Sequence, residues 1–108
     1  MNARNLTWSK TEKLVARQAF DSAYRRECEA IAQRISAMSR NIAHPEDIWQ
    51  LHDFLSEQRE AIDTKYDYRY SVLIFVFARL MREGWLHASH LDGLHAEKVS
   101  MIRALANM

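Results

Sequence analysis

The feature that most constrains this fold is a long segment without a helix breaker. Neither glycine nor proline occurs between Ser9 and Pro45. Residues 9–12, Ser-Lys-Thr-Glu, match a capping box, in which the serine hydroxyl and the glutamate carboxylate each accept a backbone N–H at the start of a helix. The pattern predicts a helix from about Lys10 to Asn41, about 48 Å long at 1.5 Å per residue.

Apolar residues recur along this helix at intervals of three or four, which is typical of a near-heptad stripe. The stripe consists of Phe20, Tyr24, Cys28, Ile31, Ile35, Met38 and Ile42. Either the later helices of the chain fold back along it, or a second copy covers part of it. We predict the second arrangement, a homodimer through the long helix. Its predicted interface is formed by Phe20, Tyr24, Ile31, Ile35 and Met38.

Three further helical elements are predicted. Pro45 suits the first position of a second helix, which ends at about Thr64. Its expected inward face consists of Ile48, Leu51, Leu55 and Ile62. The apolar run 71–77 resembles a buried strand, but strong helix formers follow it. We therefore predict a core helix from about Lys65 to Glu83, apolar nearly all round and ended by Gly84 in a left-handed conformation. A short helical piece at 89–92 and a helix at 96–106 are expected to cover one end of the bundle.

These elements predict an all-α protein with residues 1–108 in a single domain, comprising a long dimerisation helix (10–41) and a compact helical head (45–108). Two glycines and one proline are too few for the many turns of a sheet protein. The net charge of +1 gives no basic field for nucleic acid. The longest apolar run, 72–78, is too short to cross a membrane. One cysteine forms no internal disulfide, so a cytoplasmic location is expected.

The sequence contains little that suggests catalysis. His87, His90 and His95 lack neighbouring cysteines or carboxylates in a recognisable metal-ligand pattern, so we interpret them as part of a solvated connection. Cys28 lies on the apolar stripe and is interpreted as a small buried hydrophobe. No phosphate-binding or nucleophile motif is present. We therefore expect no metal, no cofactor and no enzymatic activity.

The second helix carries the most informative surface. Trp49 lies among charged and polar residues that include His52, Asp53 and Arg59. Tryptophan and arginine are enriched at the hot spots of protein–protein interfaces. Two interpretations remain open from the residues alone. This face is a protein-binding surface, or Trp49 is a core residue at the bundle edge and Arg59 an internal ion-pair partner.

The segment 48–84 contains a distinctive series of residues. It begins with the run Trp-Gln-Leu-His-Asp-Phe-Leu at 49–55 and continues through Arg59, Ile62-Asp63, Lys65-Tyr66-Asp67, Arg69, the apolar run 71–77 and Glu83-Gly84. Together these residues resemble the fluorescence recovery protein family of cyanobacteria. The first 45 residues agree in character only, and the tail from Lys98 fits more loosely.

The resemblance implies an all-helical dimer that binds the photoactivated, red form of the orange carotenoid protein, chiefly at its C-terminal domain. It implies faster return of that partner to its orange form and its release from the phycobilisome, which restores antenna fluorescence. The implied location is cytoplasmic, at most peripheral to the thylakoid-associated antenna. The functional positions implied for this chain are Trp49, His52, Asp53 and Arg59, with Phe75 as a further candidate. The alternative is a homologous helical adaptor or chaperone-like protein from a bacterium without the orange carotenoid protein.

Overall fold

The computed structural model describes residues 5–108, and within them four α-helices account for most of the chain. The helices are α1 (Lys10–Arg40), α2 (Pro45–Lys65), α3 (Leu73–Glu83) and α4 (Ala96–Ala106), with a short 3₁₀ turn at Ala88–Leu91 between the last two. The described residues contain no β-strand, only one isolated bridge between Asp92 and Leu94. The all-α prediction is confirmed.

The start of α1 has the predicted capping box. The backbone N–H of Ser9 donates to the Glu12 carboxylate at 3.0 Å, and the N–H of Glu12 donates to the Ser9 hydroxyl at 3.1 Å. Two N–H groups that the first turn leaves without a helical partner are thereby satisfied. The helix ends at Arg40, one residue before the predicted boundary.

The C-terminal half of α1 and the whole of α2 form an antiparallel hairpin. Lys65, at the end of α2, pairs with Glu27 near the middle of α1. Further along, the guanidinium of Arg34 lies over the ring of Phe54 at 4.6 Å. Because the later elements pack against one side of the other half of α1, the hairpin projects from the body, and the molecule measures 54 × 24 × 21 Å.

The predicted inward face of α2 is only partly correct. Ile62 is buried and Leu51 is half-buried, but Ile48 and Leu55 are 49% and 40% exposed. The hairpin contact runs through Phe54, which turns the other two residues away from α1. Two helices alone cannot surround each other, so the flank of α2 that carries Ile48 and Leu55 stays uncovered in the single chain.

The hydrophobic core lies in the head, formed by the N-terminal half of α1 with α3, the 3₁₀ turn and α4. Alanines at three core positions of α1 allow the other elements to approach its backbone closely. The fully buried side chains include those of Leu73, Ile74, Phe77, Leu80, Leu86, Leu91 and Ile102. A helix at 96–106 was predicted, and α4 has those bounds.

The prediction of a helix starting at Lys65 is wrong, because residues 66–72 are not helical and α3 begins at Leu73. Tyr66, Tyr68 and Tyr70 alternate with polar residues in this segment. In a helix, residues two apart point about 200° apart, whereas in an extended chain they share a side. Two of these rings meet the ring of Phe20, with centroids 5.4 Å away for Tyr66 and 4.9 Å for Tyr68. Aromatic packing against α1 therefore takes precedence over helix continuation.

The other end of α3 was predicted correctly. Gly84 has a φ of +88°, and the N–H of Trp85 donates to the carbonyl of Leu80 at 2.9 Å. This is the hydrogen bond of a Schellman motif, which satisfies a carbonyl that the helix end leaves free. The helix is less apolar than predicted, since Phe75 and Arg79 face solvent.

Two buried lysines connect distant parts of the chain, and no sequence pattern predicts either of them. Lys98 of α4 lies 3.0 Å from both carboxylate oxygens of Glu12 and donates to the carbonyl of Thr7 at 2.8 Å. Lys65 lies 2.5 Å from Glu27 and 2.6 Å from Glu83. Buried charges of this kind need such partners to offset the loss of hydration.

Candidate functional site

The outward face of α2 carries four of the five residues that are predicted to bind a partner. Residues three, four and seven apart lie on one side of a helix. This spacing places Trp49, His52, Asp53 and Arg59 within one third of the circumference of α2. Hereafter we call these four residues, with Ser56, Glu60 and Asp63, the α2 face. Its groove is lined by His52, Leu55, Ser56, Arg59, Glu60, Asp63 and Thr64.

Trp49 lies on the surface of the single chain. Its side chain is 60% exposed, near the tip of the hairpin and far from the core in the head. The interpretation of Trp49 as a core residue therefore does not hold for the single chain. A large aromatic side chain in this position offers substantial apolar area to a partner at a low cost in side-chain entropy.

Arg59 is exposed and also paired within its own helix. Its Nε donates to Oδ2 of Asp63 at 3.0 Å, and the two side chains are 80% and 62% exposed. Exposed pairs of this kind typically contribute about 0.2–1 kcal/mol to stability, so the fold does not depend on Arg59. The guanidinium is therefore available for interactions outside the chain.

His52 and Asp53 make only a marginal contact. Nδ1 of His52 lies 3.4 Å from Oδ1 of Asp53, and the two side chains are 69% and 74% exposed. Neighbouring residues of a helix point about 100° apart, which explains the long distance. Among residues 5–108 no third side chain orients the imidazole, so within this part of the chain the contact does not have the geometry of a catalytic pair.

Phe75 lies on a different element from the other four predicted residues. It is 43% exposed on α3, in the head, and the residues that line the α2 groove do not include it. The structure thus presents two separate surfaces, the α2 face on the hairpin and Phe75 on the head. A partner that contacts both must span the junction between hairpin and head.

The predicted dimer residues of α1 differ in accessibility. Phe20 is 8% exposed and packs on Tyr66 and Tyr68 of its own chain, so little of it is available to a second copy. Tyr24 is 44% exposed, and the remaining three, Ile31, Ile35 and Met38, are half-buried. Tyr24 and Ile62 line one groove between α1 and α2. The uncovered α2 residues Ile48 and Leu55 continue this apolar surface along the hairpin. The helical pattern of the sequence predicts that both face inward, so this part of the surface does not follow from the sequence.

The junction between hairpin and head is held by a buried charge cluster. Lys65 binds both Glu27 and Glu83, and the hydroxyl of Tyr66 donates to Glu27 at 2.8 Å. Burial acts to raise the pKa of Glu83, but hydrogen bonds from Lys65 and Arg79 lower it below its usual range. Burial and the Glu27 carboxylate both raise the pKa of Tyr66, which keeps its hydroxyl protonated as a donor. This cluster fixes the direction in which α2 leaves the head.

The histidines after α3 take part in local structure. The N–H of His87 donates to Nδ1 of His90 at 3.0 Å, and Arg26 lies 3.1 Å from the other ring nitrogen. Burial, Arg26 and His87 lower the pKa of His90. Across residues 5–108, no three His, Cys, Asp or Glu side chains are grouped so that they could hold a metal ion. Within the same range, no helix has the length and apolar character needed to span a membrane.

Comparison with known proteins gives one consistent result. A family model described as "photoprotection regulator fluorescence recovery protein" matches residues 8–106. The fluorescence recovery protein of Synechocystis sp. is 46% identical over 101 residues, which cover 94% of this chain and 93% of that protein. The solved structure of the Fremyella diplosiphon protein has a TM-score of 0.90 at 49% identity, and that of the Synechocystis protein has 0.90 at 45%. Each alignment covers 94% of this chain and all of the solved chain.

Proposed function

The chain belongs to the fluorescence recovery protein family, and we propose that it binds the photoactivated, red form of the orange carotenoid protein through the α2 face. Binding accelerates the return of that partner to the orange form. It also promotes the partner's release from the phycobilisome, which restores antenna fluorescence. The chain acts as a non-enzymatic regulator and needs no cofactor, since the carotenoid belongs to the partner.

The observation that carries this proposal is the exposure of Trp49 and Arg59 on one face of α2, which the described residues of the chain leave uncovered. Trp49 supplies an apolar anchor, and Arg59 supplies a fork of N–H donors. Together with Asp53 they match the composition of an interface hot spot, where an aromatic or arginine anchor carries most of the binding energy. Phe75 adds a second contact on the head.

Acceleration of a conformational return requires more than tight binding. A binder shifts an equilibrium or lowers a barrier only if it prefers one geometry of its partner over another. We propose that the α2 face binds the C-terminal domain of the partner in the geometry that precedes domain closure. The rigid hairpin, held to the head by Lys65, can then present Trp49 and Phe75 at a fixed separation, which favours that one geometry.

We further propose that the functional form is a homodimer, paired along the apolar flank of the hairpin. The flank combines Tyr24, Ile31, Ile35 and Met38 of α1 with Ile48 and Leu55 of α2. Burying such partly exposed apolar side chains contributes about 25 cal/mol per Å² of apolar area removed from water. The α2 face borders this flank, so a dimer presents two copies of it.

Substitution of Arg59 by leucine tests the site. Each variant is mixed with photoactivated orange carotenoid protein, and visible absorption is followed during dark recovery. Arg59→Leu should weaken binding about 30-fold, the size expected for a 2 kcal/mol hot spot, and should abolish the acceleration. Helicity measured by circular dichroism should not change, because Arg59 is exposed. Arg25→Leu, at another exposed position, is the matched control and should accelerate recovery normally.

Two outcomes contradict the proposal in different ways. Normal acceleration by Arg59→Leu would exclude the α2 face as the binding site. If the unmodified chain fails to accelerate recovery, the orange carotenoid protein is not its partner, and the alternative of an adaptor with a different partner is favoured.

A further inference from the structure

The hydrogen bond between Arg59 and Asp63 constrains the direction of the arginine. Side chains on a helix lean towards its N-terminus, over the preceding turn. Asp63 lies four positions after Arg59, so its carboxylate leans back over that turn, and its Oδ2 accepts from Nε of Arg59 at 3.0 Å. Without that acceptor, none of the described residues would hold the guanidinium, and the exposed side chain could adopt many rotamers. The observed position of the guanidinium therefore depends on Asp63.

Asp63 lies close to the junction between hairpin and head. It lines the groove that contains Tyr24 and Ile62, and it also lines the groove of the α2 face beside Arg59. Its neighbour Glu60 has the same charge and faces the same side of α2, but within residues 5–108 its carboxylate accepts no hydrogen bond from Arg59. Three carboxylates lie within four residues of Arg59, those of Glu57, Glu60 and Asp63. Among the described residues, only Asp63 accepts a hydrogen bond from the guanidinium.

The geometry of the pair leaves one edge of the guanidinium available. An arginine can bind a carboxylate side-on, through Nε and one terminal nitrogen, or end-on, through both terminal nitrogens. Asp63 occupies Nε, which closes the side-on approach. Among the described residues, this is the one hydrogen bond that the guanidinium makes. The two terminal nitrogens, Nη1 and Nη2, therefore remain available to a group of another molecule.

We infer that Asp63 is a positioning residue for Arg59, and that the held guanidinium receives a side-chain carboxylate of the partner end-on, through Nη1 and Nη2. This inference rests on the proposed function of the α2 face. Asp63 acts by fixing one rotamer of Arg59 before the partner arrives. Binding to a guanidinium that is already oriented avoids the entropy cost of ordering a long, flexible side chain.

Two substitutions of Asp63 separate positioning from charge. Asp63→Ala removes the acceptor and should weaken binding to photoactivated orange carotenoid protein about three- to tenfold, the cost of ordering one long side chain. Asp63→Asn keeps an oxygen that can accept from Nε, so its affinity should stay within about twofold of the unmodified chain. Glu60→Ala removes a neighbouring charge without releasing Arg59 and should resemble Asp63→Asn. Isothermal titration calorimetry measures all three, and circular dichroism checks that helicity is retained.

A double-substitution cycle completes the test. In the Arg59→Leu background, Asp63→Ala should have no further effect, because the two residues act as one unit. Tighter binding by both Asp63 variants would identify Asp63 as a competitor of the partner's carboxylate and overturn the positioning role. Unchanged binding by Asp63→Ala would overturn it as well. Normal binding by Arg59→Leu would instead refute the proposed function, so the two failures are distinguishable.

Discussion

Replacing Lys65 by methionine tests whether the buried cluster holds the hairpin to the head. The side chain of Lys65 is 5% exposed, and its ammonium lies 2.5 Å from Glu27 and 2.6 Å from Glu83. Methionine has a similar volume, so the main effect is the loss of charge. Glu83 is a third exposed and keeps Arg79, but Glu27 is 8% exposed and would keep only the neutral hydroxyl of Tyr66. Removing one partner of a buried pair costs about 3–5 kcal/mol.

The expected loss is a large part of the stability of a domain this size, which is commonly 5–15 kcal/mol. Urea denaturation followed by circular dichroism gives the free energy of unfolding by linear extrapolation. All variants should be compared at one protein concentration, because dimerisation would make the apparent stability depend on it. Arg69→Met is the control, since Arg69 pairs with Asp67 on the surface, and its loss should lower the free energy of unfolding far less than the loss of Lys65.

The double variant Lys65→Met/Glu27→Gln distinguishes an uncompensated charge from poor packing. Glutamine is neutral and can still accept from Tyr66, so the double variant should recover most of the lost stability. If Lys65→Met costs less than about 1 kcal/mol, the cluster does not secure the junction. If the double variant is no more stable than the single one, the loss does not come from the Glu27 charge.

Three further predictions concern other parts of the molecule. Burial acts to raise the pKa of Glu12, but hydrogen bonds from His95, Ser9 and Lys98 outweigh it and lower the pKa from 4.5 to about 2. The ionised form of Glu12 therefore stabilises the fold above pH 4.5. The difference in free energy of unfolding between the unmodified chain and Glu12→Gln should shrink as the pH falls from 4.5 towards 2. Gly93→Ala should cost roughly 2–4 kcal/mol, because φ is +107° and the new Cβ would lie 2.7 Å from Val15. Gly84→Ala, at φ +88° in open space, should cost only about 1–2 kcal/mol, and equal losses would contradict the steric argument. Ile35→Glu should halve the mass measured by light scattering, and an unchanged mass would exclude the α1 stripe from the dimer interface.

Local signals predicted the helices well. The capping box, Pro45 and Gly84 each mark a helix end through backbone chemistry that acts within four residues, and the structure has the corresponding boundaries. The segment 66–72 was predicted wrongly because its conformation depends on Phe20, more than 40 positions earlier. The alternation of tyrosines with polar residues is typical of an extended chain, whereas the helix formers that follow it favour a helix.

The sequence predicts which residues form the candidate site, but not which of the neighbouring side chains are exposed or buried. Helical spacing alone groups Trp49 with Arg59, because the geometry of one helix determines that grouping. The spacing of Arg59 and Asp63 also identifies their pair in principle. In contrast, neither the exposure of Ile48 and Leu55 nor the burial of Lys65 follows from periodicity. Both depend on how the hairpin packs, which is a property of tertiary structure.

The contact between Glu12 and Lys98 has a consequence for the order of folding. The two residues are 86 positions apart, and the same glutamate completes the first turn of α1. The head therefore closes only after α4 has been synthesised, whereas the turn between α1 and α2 needs only neighbouring residues and can form early. During synthesis the hairpin, with its uncovered apolar flank, precedes the head that stabilises it. A nascent chain of this kind would benefit from early pairing of its flank or from protection by a chaperone until the last helix docks.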